Sequence, residues 1–119
     1  MDSDEWRRWL EAGVTPRSSA ESYGKELVSE MRDELPVLTG SPKQVAWGDR
    51  IRWDILADMA AEMARMVVAN AADREAAFSQ LEQVILHIAT TRTTAAWWID
   101  ARMHSNRDLM IAATRELAA

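Results

Sequence analysis

Between Pro42 and Asn70 nothing in the sequence breaks a helix, and the residues just before that run spell a helix start. In Ser41-Pro42-Lys43-Gln44 the serine hydroxyl can accept from the exposed amide at the third helical position, and Gln44 can reach back to the Ser41 amide. Pro42 fits the first helical position, where no amide donor is needed. A helix is therefore predicted to start at Pro42. Val45, Gly48, Ile55, Met59, Met63 and Met66 then recur at helical spacing, with Ile51, Leu56 and Val67 widening the stripe. An apolar stripe of that length predicts a helix of about 25 residues or more, the spine of the fold. Met59, Met63 and Met66 are read as core filler along it, with self-association through that face as the other use.

The remaining punctuation divides the chain into further helices. Trp6, Trp9 and Leu10 follow the i, i+3, i+4 rule, so residues 4–12 read as a short amphipathic helix stopped by Gly13 and the Thr15-Pro16 turn. A second helix is expected from about Ser19 to Glu34, with Tyr23, Leu27, Val28, Met31 and Leu35 on one stripe. Pro36 closes it, because the residue before a proline avoids the α region. Asp73 is the predicted cap of a helix that buries Phe78, Leu81, Ile85 and Ile88, flanked by Val84. Thr90 to Thr94 reads as a connector whose hydroxyls compete for helix hydrogen bonds. Ala95 to Met103 is a helix or helical turn. Ser105 with Asp108 marks a last start, and Leu109, Ala112, Ala113 and Leu117 are its expected apolar face. No strand pattern, internal repeat or low-complexity tract is present. The prediction for residues 1–119 is one compact all-α domain, a bundle of five or six helices with one long central helix.

Composition removes several classes of chemistry. The chain has no cysteine, which excludes disulfides, thiolate metal sites and cysteine nucleophiles together and fits a reducing compartment. No apolar run approaches the ~20 residues a membrane span requires, and the opening MDSDEWRRWLEAG is too acidic for a signal peptide. The expectation is a protein of the bacterial host cytosol that does not engage the membrane. The net charge of −5 comes from 19 acids against 14 bases. The excess lies mostly in residues 1–35, which carry nine acids and five bases. A duplex binder normally concentrates Lys and Arg on one face, so direct nucleic-acid binding is disfavoured.

Two motifs carry a resemblance. Gly40-Ser41-Pro42-Lys43-Gln44-Val45-Ala46-Trp47-Gly48-Asp49-Arg50-Ile51-Arg52 and, later, Ala96-Trp97-Trp98-Ile99-Asp100-Ala101-Arg102 cover 20 residues. They resemble the G-S-x-K-Q-x-x-W-x-x-x-I-R and A-x-W-W-I-D-x-R motifs of small uncharacterised proteins from bacteria, prophages and mobile elements. The resemblance brings no catalytic residues with it. Pro42 replaces an expected acidic residue and Gly48 an expected alanine, the latter at roughly 1 kcal/mol of helix propensity. Residues 1–35 lie outside the resemblance, and residues 40–119 form the motif-bearing part. Small proteins of such genomic settings include inhibitors of host defence, anti-CRISPR proteins among them.

The candidate functional residues follow from this. The chain has six tryptophans against one Phe and one Tyr. Trp47, Trp97 and Trp98 read as a central packed plug with an indole N–H on a loop carbonyl, or, for one of the adjacent pair, as an exposed anchor. Trp6 and Trp9 sit on a helix flanked by Asp4, Glu5 and Glu11, which either docks on the bundle or offers its indoles to another molecule, its carboxylates steering toward a basic surface. Asp100 is expected to pair with an arginine of the long helix; the other reading makes Arg52, Asp100 and Arg102 a polar recognition pocket. His87 and His104 form no metal-ligand pattern, and no nucleophile elbow or phosphate loop is present. Asp100 and His104, four apart, read as a surface pair. No catalytic, metal or cofactor residue is assigned. The reading is a non-enzymatic protein-binding module, monomer or simple dimer, whose partner is a host nucleoprotein defence complex in the sharpest form. Its candidate contacts are Asp4, Glu5, Trp6, Trp9, Glu11, Arg50, Arg52, Trp97, Asp100 and Arg102. The alternative is a nucleic-acid-binding accessory protein using Lys43, Arg50 and Arg52.

Overall fold

A computed structural model describes residues 1–13 and 16–119, so the expected turn at Thr15 lies outside the described residues. Six α-helices follow one another: α1 (Ser3–Glu11), α2 (Pro16–Glu30), α3 (Pro42–Asn70), α4 (Arg74–Thr91), α5 (Ala95–Ala101) and α6 (Asn106–Ala118). The chain is an all-α bundle, and α3 is its axis: α1, α2, α4, α5 and α6 all pack on it.

The start of α3 forms as its sequence dictates. Ser41 Oγ accepts from the Gln44 amide at 3.3 Å, and Gln44 Oε1 accepts from the Ser41 amide at 3.2 Å. Both donors would otherwise be orphaned at the helix end. Ser41→Ala is expected to cost about 1 kcal/mol in chemical denaturation; an unchanged midpoint would show that the cap carries no stability. Asp2, Asp73, Thr94 and Ser105 cap α1, α4, α5 and α6 in the same way, each accepting from the amide three residues on.

Several element ends differ from the sequence reading: α2 opens at Pro16, expected in a turn, and α5 stops at Ala101. The second helix stops at Glu30 rather than Glu34, and Arg32–Glu34 tighten into a single 3-10 turn before Pro36. Thr90 and Thr91 belong to α4: their hydroxyls donate to the carbonyls of Leu86 and His87, at 2.8 and 2.6 Å. Satisfied inside the helix, they do not break it, and only Arg92 to Thr94 connect α4 to α5.

The core is one cluster. Leu10 of α1, Tyr23 and Val28 of α2, Leu56 and Met59 of α3, and Phe78, Leu81, Ile85 and Ile88 of α4 are all excluded from solvent, as is Trp98 of α5. Tyr23 meets Phe78 edge-on, with ring centroids 5.6 Å apart. Its hydroxyl donates to Glu82 at 3.1 Å, tying α2 to α4. Burial raises the Glu82 pKa above the ordinary carboxylate value and, with the Glu82 charge, raises that of the Tyr23 phenol.

Glycine permits a close crossing of α2 and α3. Gly24 of α2 faces the α3 backbone so closely that a Cβ there would lie 2.2 Å from the Ala57 carbonyl oxygen. The residues that flank the two resemblance motifs also meet in space, as do Trp47 and Arg102 within them. Thr39 pairs with the α4–α5 connector: its amide donates to the Thr93 carbonyl at 3.0 Å, and its carbonyl accepts from Ala95 at 2.9 Å. Gly48, buried, sits against Ala95. A motif pair far apart in sequence thus builds one joint between α3 and α5.

Candidate functional site

The buried polar residues of the motifs serve the fold. Arg52 is 5% exposed; its guanidinium donates to Asp49 at 2.6 Å and to the Pro36 carbonyl at 2.7 Å. It therefore pins the segment after the 3-10 turn to α3 and is not free for a partner or a phosphate. The expected ion pair between α3 and Asp100 does not form, because Arg52 is already engaged by Asp49 and the Pro36 carbonyl. Asp100 is exposed and makes no ion pair among the described residues. It lines an open groove with Trp97, His104, Asp108 and Leu109, yet Asp100 and His104 are not in ion-pair contact.

The tryptophans separate rather than forming one plug. Trp98 is fully buried and its Nε1 donates to the Arg92 carbonyl at 2.9 Å, the loop-carbonyl bond expected from the sequence. Trp97 is half-buried, edge-on to Trp98 at 4.9 Å. Trp47 is not part of a core: it is 48% exposed and covered on one face by the Arg102 guanidinium, 4.5 Å from its centroid. Such stacking keeps the cation hydrated while it shields an apolar ring, which is how an indole stays at the surface. Lys43 and Arg50 are exposed near the start of α3.

The N-terminal helix is docked. Ser3 is buried, its amide and hydroxyl donating to Glu30 at 2.8 and 2.6 Å, and Arg7 stacks on Phe78 at 5.1 Å. Leu10 is buried and Trp6 half-buried, but Trp9 is 47% exposed beside Glu5 and Arg8. Docking through Leu10 turns the Trp9 face outward, correcting any reading of both indoles as buried. Asp4 and Glu11 are exposed and Glu5 is half-buried, so an acidic face remains accessible.

The third surface lies along the methionine face of α3. Met66 is 59% exposed and Ile111 39% exposed, and with Met63 and Met110 they line an open groove of about 560 Å³ between α3 and α6. The core-filler reading thus holds for Met59, which is buried, but not for Met66. Leu117 and Ala112 are likewise exposed, leaving Ala113 as the buried contact of α6 with half-buried Leu109 and Met110. A signal for this was present. Leu109 to Ala113 are five consecutive apolar residues, and at about 100° per residue one buried stripe cannot cover them all.

A polar latch adds to the apolar hold on α6. Arg92 donates to both oxygens of Glu116 at 2.6 and 2.5 Å, and His87 Nε2 lies 2.7 Å from the same carboxylate. The hydrogen bonds from Arg92 and then His87 hold the Glu116 pKa down to about 2, from an ordinary 4.5. A lowered folded-state pKa contributes stability above the unfolded value and loses it as pH falls toward the folded one. Glu116→Gln is therefore expected to lower the melting temperature at neutral pH, with the gap to the wild type closing between pH 4.5 and about 2. A pH-independent gap would contradict the latch.

Among the described residues no group of three or more His, Asp or Glu could hold a metal, and no helix is long and apolar enough to cross a membrane. No buried side-chain N or O atom lacks a hydrogen-bond partner among them. No family model, curated protein or solved structure matches the chain.

Proposed function

We propose that the chain is a non-enzymatic protein-binding module that acts by occupying a surface on a larger assembly. The observation that carries this reading is the α3–α6 groove, where Met66 and Ile111 stay exposed, and half-buried Met63 and Met110 complete an apolar lining. Adaptable methionines around an exposed isoleucine suit a protein contact better than a small-molecule site, which would be enclosed. The exposed Trp9 face and the Trp47–Arg102 stack are secondary contacts of the same kind. The sharpest form, a phage or mobile-element inhibitor of a host nucleoprotein defence complex, rests on the motif resemblance and the small size.

The test is affinity capture from bacterial host lysate with the wild-type chain and an Ile111→Asp variant as matched baits. The expected result is a stoichiometric partner on the wild type that is lost on the variant. Recovery of no stoichiometric partner, or equal recovery on both, would overturn the proposal.

A further inference from the structure

The groove between α3 and α6 is charged in one sense only. Arg107 and Arg115 line it, no carboxylate does, and neither guanidinium has an ion-pair partner among the described residues. This occurs on a protein of net charge −5, in which acids outnumber bases. Arg107 stands in the first turn of α6, where a cation opposes the helix dipole, so it weakens the helix that carries it. Stability of α6 therefore does not account for its position. Eight residues along one helix, Arg107 and Arg115 are separated by roughly 12 Å of rise, a little over two turns.

We infer that this groove takes the apolar face of an acidic amphipathic helix of another protein, with Arg107 and Arg115 meeting carboxylates seven or eight residues apart on it. The inference rests on the reading of the chain as a protein-binding module and names the partner's chemistry. Between those carboxylates, apolar residues at i+3 and i+4 would enter among Met63, Met66, Met110 and Ile111, whose unbranched methionines adjust to the incoming shape. A second copy of this chain fits less well. An antiparallel α6–α6 contact centred on Ile111 sets Arg107 of each copy against Arg115 of the other, and the acidic α1 already spends Leu10 and Ser3 on its own bundle.

The probe is a synthetic helical peptide with Leu at i+3 and i+4 between two Glu at i and i+7, titrated against the full chain by fluorescence anisotropy. A peptide of the same pattern with Lys in place of Glu is the control. The expected result is saturable binding of the acidic peptide that weakens as salt rises, at least about tenfold weaker with Arg107→Glu and Arg115→Glu together, and lost with Ile111→Asp. Both altered positions are exposed, and circular dichroism checks that the variants remain folded. Equal binding of the acidic and basic peptides, or binding unaffected by the arginine reversals, would overturn the inference. So would sedimentation showing a dimer that Ile111→Asp dissociates, since the groove would then belong to a second copy. A negative peptide titration alongside Ile111-dependent capture from lysate would sink the acidic-helix inference while leaving the binding-module reading standing.

Discussion

Trp98→Ala is expected to lower the free energy of unfolding by about 3–5 kcal/mol, the range for truncating a fully buried aromatic whose cavity the neighbours fill only in part. Two losses combine. The indole is wholly buried in the core on α5, which packs on α3, and its Nε1 satisfies the Arg92 carbonyl in the short connector. Removing it opens a cavity in the core and leaves the carbonyl to find water. Trp98→Phe separates the two effects: it refills most of the volume without restoring the hydrogen bond, so an intermediate loss is expected. Urea denaturation of the three proteins measures both, and a Trp98→Ala midpoint equal to the wild type would show that the ring is not a core element.

Gly24→Ala is expected to destabilise by about 2–3 kcal/mol, although alanine is the better helix former by roughly 1 kcal/mol. The two effects have opposite sign, which makes the substitution decisive. A Cβ at Gly24 would stand 2.2 Å from the Ala57 carbonyl oxygen and 3.2 Å from the Ala61 amide nitrogen. Those atoms are backbone in the middle of α3 and cannot swing aside, so α2 must lift from the spine along the largest helix contact in the molecule. A stabilised Gly24→Ala variant would mean that α2 and α3 are farther apart than the structure has them.

The fold was legible where local chemistry is sufficient. Ser41, Pro42 and Gln44 specify the start of α3 within four residues, and the apolar spacing after them specifies its length. Asp73 and Ser105 likewise mark starts that form. Helix periodicity says nothing about which helix meets which, so the role of Gly24, which depends on α3 lying against it, could not be read locally. Gly48 could be recognised as a departure from alanine, but its contact with Ala95 depends on tertiary structure. The site was less legible still. Trp47, expected in the core, stays at the surface because Arg102, fifty-five residues later, covers its ring. Sequence leaves Asp100 free to pair with Arg52, but in the fold Asp49 and the Pro36 carbonyl take that guanidinium. The exposed groove was the hardest, since Met66 shares the helical spacing of buried Met59 and looks like a core residue until the bundle closes without it.

The methionines of the chain report on each candidate surface separately. Met1 lies beside the acidic α1, Met103 follows Arg102 of the Trp47 stack, Met63, Met66 and Met110 line the groove, and Met31 and Met59 are buried. The most direct test of the binding-module account is therefore methyl NMR of the protein labelled with ¹³C at the methionine methyls, recorded with and without the purified captured partner. Shifts or broadening that are largest at Met63, Met66 and Met110, with smaller changes at Met1 and Met103, is the expected result. Perturbation of Met1 or Met103 with the three groove methyls unchanged would contradict it.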